Sequence, residues 1–133
     1  MARKFNYRGL PMEKLRSMTL DETAKLLTSR ARRAIKRGNK RYRKLLETVK
    51  IAKKASADGA SKVVKTHVRD AVILPDWVGL KFGVHNGKEF KVIEITPEKI
   101  GRRLGEYSHS TGPVRHSGPG VGATRGSKFI PLK

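Results

Sequence analysis

Several side chains in this sequence are of types that do chemistry. Glu94, Glu98 and Glu106 lie close enough along the chain to offer a carboxylate pair for acid–base work. His67, His85, His109 and His116 are potential bases or metal ligands. The ending GPVRHSGPGVGATRGSKFIPLK is dense in glycine and cations, the composition of a phosphate cradle. Spacing argues against all three. A Walker A loop needs G-x-x-x-x-G-K-[ST], but Gly126-Ser127-Lys128 reverses lysine and serine, and Val121 stands five residues before Gly126. A dinucleotide fingerprint fails because Arg125 falls where Gly120 and Gly122 require a third glycine. The histidines show no H-E-x-x-H spacing. Glu98 and Glu106 have ordinary helix-end explanations. There is no cysteine, hence no disulfide, thiolate metal site or cysteine nucleophile. No enzyme, metal or cofactor is expected.

The chemistry that remains is charge neutralisation. The 133 residues hold 31 Lys+Arg against 11 Asp+Glu, a formal charge of +20. Self-repulsion of that size opposes a compact free state, and a polyanion relieves it. The cations concentrate in SRARRAIKRGNKRYRKLL. Arg30, Arg32, Arg33, Lys36, Arg37, Lys40, Arg41, Arg43 and Lys44 stand there with no acid among them. A solvated helix face ordinarily mixes signs, as i,i+4 Glu–Lys pairs do. A run of one sign costs repulsion with no gain within the chain, so phosphate contact is the favoured reading. No run of about 18 apolar residues exists to span a bilayer, and MARKFNYRGLPMEKL lacks the apolar stretch of a signal peptide. These features fit an intracellular protein bound to nucleic acid rather than membrane.

These cations need elements to position them. Residues 1–18 read as irregular, with a turn at Pro11-Met12-Glu13-Lys14. Thr19 and Glu22 form a capping box, and Leu20, Ala24, Leu27, Ala31 and Ala34 recur at helical spacing up to Gly38-Asn39. A second helix is predicted from Lys40 to about Ala55, with Tyr42, Leu45, Leu46, Val49 and Ala52 as its stripe. The pair reads as an α-hairpin, with Asp58-Gly59 as the turn beyond. Leu80, Phe82 and Val84 then alternate with Lys81, Gly83 and His85, a half-buried strand. Asn86-Gly87 suits a type I′ turn. The return strand carries Phe90 and Val92 on one face and Ile93 and Ile95 on the other, so a bulge or second packed layer is expected. In ITPEKIGRRLGEY, Thr96, Pro97 and Glu98 open a short helix that Gly105 ends, with Arg102 and Arg103 on it. The predicted core is Leu74, Trp77, Val78, Leu80, Phe82, Val84, Phe90, Val92, Ile95, Ile100 and Leu104. Apolar density peaks between Val63 and Leu104, a core so small that partner contacts are expected to supply part of the stability.

ILPDWVG, VHNGKEF and ITPEKIGRRLGEY follow one another over Ile73–Tyr107. In that order and spacing they resemble the signatures of a universal small-ribosomal-subunit protein family, number nineteen in bacteria and fifteen in eukaryotes. VVKTHVRDAVILP, the basic hairpin and the ending GATRGSKFIPLK are similar to its archaeal and eukaryotic members. Three places depart from the pattern: Arg102 stands where members carry histidine, Tyr107 where they carry phenylalanine, and SHSTGPVRH differs from the bacterial continuation.

The resemblance implies an α+β fold with a small mixed sheet of about three strands and a short helix. The expected organisation is a basic extension with an α-hairpin over 1–60, an rRNA-binding core over 61–107 and a glycine-rich tail over 108–133. It implies a structural, non-catalytic component that binds the 3′ major (head) domain of small-subunit rRNA. Its neighbours would be the family-thirteen head protein and an intersubunit bridge, with the tail towards the decoding site and tRNAs. The expected rRNA-binding residues are the cations from Arg30 to Lys44, then Lys81, His85, Asn86 and Lys88, then Arg102 and Arg103, and in the tail Arg115, His116, Arg125 and Lys128. Arg69 has two readings of equal standing, RNA contact or pairing near Asp70. The rival function is an architectural, chromatin-type nucleic-acid-binding protein, which explains the charge but not the ordered signatures.

Overall fold

In a computed structural model, which describes residues 5–38, 40–57 and 62–113, the segment before Thr19 holds more order than the single turn that the sequence suggested. Strands β1 (Asn6–Tyr7) and β2 (Leu10–Pro11) pair antiparallel. Arg8 and Gly9 link them with φ of 49° and 82°, the two positive values of a tight hairpin turn. Helix α1 (Met12–Ser17) follows directly and buries Leu15.

The capping box at Thr19 is present. Glu22 N–H donates to Thr19 Oγ1 at 3.4 Å, and Thr19 N–H donates to Glu22 Oε2 at 3.0 Å. These bonds hold the Glu22 carboxyl below its ordinary pKa. The helix it starts does not reach Gly38, however. It ends as α2 (Leu20–Leu26), and α3 (Ser29–Arg37) begins two residues beyond. Leu27 and Thr28 between them are extended, with ψ of 164° and 155°. Arg32 accounts for the break. Its Nε donates to the Ala24 carbonyl at 3.1 Å and its Nη2 to the Lys25 carbonyl at 2.9 Å, satisfying groups that a continuous helix would use itself. Helix α4 (Lys40–Ala57) buries Tyr42, Leu45, Val49 and Ala52. Burial pushes the Tyr42 phenol up to about 12, with the Asp70 charge adding to the rise.

Strand β3 (Val64–Thr66) runs parallel to β4 (Lys81–His85), and β5 (Phe90–Glu94) returns antiparallel. The fold is therefore α+β with a three-stranded mixed sheet. The β4–β5 register is continuous from Lys81↔Glu94 to His85↔Phe90, so no bulge interrupts it. Phe82 faces Ile93, and both are buried. Phe90 and Val92 consequently leave the predicted core: they lie on the outer face, 36% and 57% exposed. The turn also differs from expectation. Gly87 has φ 107°, but Asn86 is not in the left-handed region, so this is not the two-residue turn that Asn-Gly suggested.

The short helix predicted over ITPEKIGRRLGEY is replaced by two 3₁₀ turns, Pro97–Lys99 and Leu104–Tyr107. Gly101 separates them with φ 81°. A Cβ there would sit 2.9 Å from Tyr7 Oη and 3.0 Å from Leu27 Cδ2, so glycine is required by space as well as by backbone. Freed from a helix, residues 101–105 run beside 69–73. Ile73 N–H donates to the Arg102 carbonyl at 2.8 Å, and Leu104 N–H donates to the Ala71 carbonyl at 3.0 Å.

The core exceeds the central block. Ala24, Leu27, Ala31, Ile35, Tyr42, Leu45, Val49 and Ala52 join Val64, Ile73, Trp77, Phe82, Val84, Ile95 and Leu104 in one cluster, with Val78 packed at its edge. Trp77 and Phe82 stack with ring centroids 5.1 Å apart, a pairing worth about 1 kcal/mol beyond burial.

Candidate nucleic-acid interface

The helical period turns the basic run into a face. In α3, Ala31 and Ile35 point into the core, which leaves Arg30, Arg33, Lys36 and Arg37 exposed. In α4, Tyr42 and Leu45 do the same for Lys40, Arg41, Arg43 and Lys44. Ser29, Arg32, Arg33, Lys36 and Arg37 line an open groove along α3. Among the described residues the ion pairs are Lys53–Asp76 at 3.4 Å and Arg102–Glu106 at 3.5 Å, and neither uses a cation from this face. Arg32 stands apart, half-buried and donating to the Ala24 and Lys25 carbonyls of α2 and to the Leu27 carbonyl just beyond it.

The second group divides along the β4–β5 hairpin. Exposed Lys88 and half-buried His85 and Asn86 lie at its tip, whereas exposed Lys81 opens β4 opposite Glu94, at the other end. Asn86 Oδ1 accepts from the Lys88 and Glu89 N–H groups at 2.9 and 2.8 Å. His85 Nδ1 accepts from the Gly87 N–H at 3.0 Å. Both side chains brace the turn, so the Asn86 amide nitrogen and the Lys88 ammonium are the donors left to offer a partner.

Arg102 projects from the segment beside Gly101, with its side chain 64% exposed, and pairs with Glu106 four residues on. Glu106 also accepts the Arg103 N–H at 3.2 Å, which closes the second 3₁₀ turn. That carboxylate is thus committed to local structure. Among the described residues no group of three or more His, Asp or Glu could hold a metal ion. Tyr107 lies under Lys99, its ring centroid 5.1 Å from Nζ, and burial raises its phenol.

Arg69 is half-buried rather than displayed. Its guanidinium donates to the carbonyls of His85 at 2.6 Å, Gly105 at 3.2 Å and Ser108. Among the described residues it makes no ion pair with an acid near Asp70. Arg115, His116, Arg125 and Lys128 lie outside the described residues, as does the Asp58-Gly59 turn. Sequence reasoning missed Lys65 and His67, which share the outer sheet face with Phe90. The overlooked signal was their period-two spacing with Val63 ahead of a strand that needed a partner.

Eight exposed cations on two consecutive helices, backed by an apolar core and without an ion pair among the described residues, define a protein of the polyanion-binding class. The family model described as Ribosomal protein S19 matches residues 33–116, from within α3 past the last described strand. The chain belongs to that family of small-subunit ribosomal proteins. It is an rRNA-binding constituent of a ribonucleoprotein, and its part in translation is structural rather than enzymatic. Its partners are rRNA and other ribosomal proteins. Among the described residues no helix is long and apolar enough to cross a membrane.

Proposed function

We propose that this chain binds the 3′ major domain of small-subunit rRNA in the head, in a cytoplasmic ribosome of the archaeal or eukaryotic type. It would sit beside the family-thirteen head protein, near an intersubunit bridge, with residues beyond Ser108 directed towards the decoding site and tRNAs. The single observation that carries RNA contact is the cationic face of α3 and α4. Among the described residues, eight exposed cations there find no acid, and phosphates are the groups that relieve them. Arginine predominates among them, and its planar fork suits phosphate oxygens and unpaired bases alike. Lys88 and the Asn86 amide give a second contact at the hairpin tip, Lys81 a third at the hairpin's other end, and Arg102 a fourth. Arg69 acts as a clamp behind them.

The test is affinity for the isolated 3′ major domain, the 5′ domain and duplex DNA at one salt concentration. Preference for the 3′ major domain is the expected result. Equal affinity for all three would leave a general nucleic-acid binder of the chromatin type. In intact cells, crosslinks should concentrate in the 3′ major domain, with those from the tail near the decoding site.

A further inference from the structure

The outer face of the three-stranded sheet is uncovered by any described element, yet it is not built like a solvated surface. Three rings form a row across it. His67 follows directly on β3, His85 ends β4, and Phe90 is paired with His85 at the start of β5. The His67 and His85 centroids lie 4.5 Å apart with planes tilted by 36°. Phe90 meets both edge-on, at 5.2 and 4.9 Å. In the next row Lys65, Gly83 and Val92 lie side by side. A Cβ on Gly83 would touch Lys65 Cγ at 3.4 Å, so glycine lets the lysine stem lie flat over the central strand. Lys65 Nζ reaches to 5.6 Å from the Phe90 centroid.

We infer that this face is a stacking platform for an unpaired RNA base, with the Lys65 ammonium placed for the phosphate of the same nucleotide. The inference rests on the RNA-binding reading above and adds a base-binding site to its phosphate contacts. The chemistry points to a nucleotide rather than an apolar protein segment. A base has a flat π-surface and carries a negative charge a few ångströms away. The platform offers ring surface at Phe90 and His67 with a cation beside it, the combination that holds single-stranded nucleic acid. Among the described strand residues on this face the carboxylate is Glu94, which lies opposite Lys81 at the far end, away from the rings. Exposure of Phe90 and Val92 is explained if a base covers them.

The experiment uses the full chain and two probes: a single-stranded RNA hexamer of mixed sequence, and an abasic hexamer with the same sugar–phosphate backbone. Ring-proton resonances of His67, His85 and Phe90 are followed by NMR during titration. The base-bearing hexamer should shift them upfield and the abasic one should not. Phe90→Leu combined with His67→Ala should lower affinity for the base-bearing hexamer roughly fivefold or more, and leave the abasic hexamer unaffected. Replacing Arg33, Arg37 and Arg41 by Gln should weaken both hexamers alike. Equal binding of the two hexamers with unmoved ring signals would overturn the platform while leaving phosphate binding intact. Failure of both hexamers to bind would overturn the platform and the RNA-binding reading together. Because Phe90 and His67 are exposed, the double variant is expected to keep its fold, which the unchanged abasic titration would report.

Discussion

Arg69 holds Ser108 by the serine's carbonyl, and Ser108 in turn holds β4. The arginine guanidinium donates to the Ser108 carbonyl, and the buried Ser108 hydroxyl donates to the Val84 carbonyl at 3.2 Å. With its bonds to His85 and Gly105, Arg69 ties the end of β4 to the last 3₁₀ turn and to the point where the chain leaves the sheet. Gly105 permits this, since a Cβ there would sit 3.0 Å from the Arg69 carbonyl. Replacing Arg69 by Ala should cost about 2–3 kcal/mol, the scale for charged hydrogen bonds lost from partly buried carbonyls. Arg69→Lys should lose most of the same amount, because an ammonium cannot fork to three acceptors. Urea denaturation of the free protein measures both. A lysine variant with unchanged stability but weaker RNA binding would return Arg69 to the role of phosphate ligand.

The cationic face divides into structural and displayed members. Arg33→Gln, Arg37→Gln and Arg41→Gln together should leave thermal stability within about 0.5 kcal/mol. Each lost phosphate contact should make the salt dependence of rRNA binding shallower by roughly 0.7–0.9. Arg32→Ala should instead destabilise the fold by about 1 kcal/mol, because the carbonyls at the end of α2 lose their donor. Filter-binding titrations and melting curves on the two proteins separate these outcomes.

Gly101→Ala should be among the more damaging single methyl additions in this chain. It forces an L side chain to φ 81° and drives its Cβ against Tyr7 and Leu27. A loss of about 2–4 kcal/mol is expected. Gly87→Ala shares the positive φ but meets nothing within 4 Å, so it should cost only the backbone strain, about 1 kcal/mol. Comparing the two melting temperatures isolates the contribution of the contact.

Alkaline pH should unfold the protein through Tyr42. Its phenol pKa is raised in the fold to about 12 from 10, so the neutral form is favoured by folding. That stabilisation is complete below pH 10 and is lost as pH climbs through 12, amounting to about 3 kcal/mol. Absorbance of tyrosinate during an alkaline titration should show a late step accompanying loss of helical circular dichroism. Tyr42→Phe should remove that step and extend stability to higher pH.

Much of the secondary structure was readable because local chemistry fixed it. The Thr19–Glu22 box, the stripe from Tyr42 to Ala52 and the alternation through Phe82 and Val84 each depend on neighbours within a few residues. The misread places depend on distant ones. The break at Leu27 needs Arg32 to reach back eight residues, and the conversion of ITPEKIGRRLGEY into two 3₁₀ turns needs Tyr7 against Gly101. Phe90 and Val92 are as apolar as Ile93 and Ile95, so only the pairing of Ile93 with Phe82 decides which pair faces inward. The charge of the interface was plain from composition. Arg69 was not, since its acceptors are carbonyls 16, 36 and 39 residues away and carry no side-chain signature.

The packing of Tyr7 and Leu27 over Gly101 also sets an order of events during synthesis. Both side chains are made well before the glycine that receives them. Until then Tyr7 and Leu27 lack this contact, although β1 already pairs with β2 and α2 already packs on α3. The seam between the segments that carry Tyr7 and Leu27 and the one that carries Gly101 therefore closes late, and only then is their place in the fold fixed from both sides.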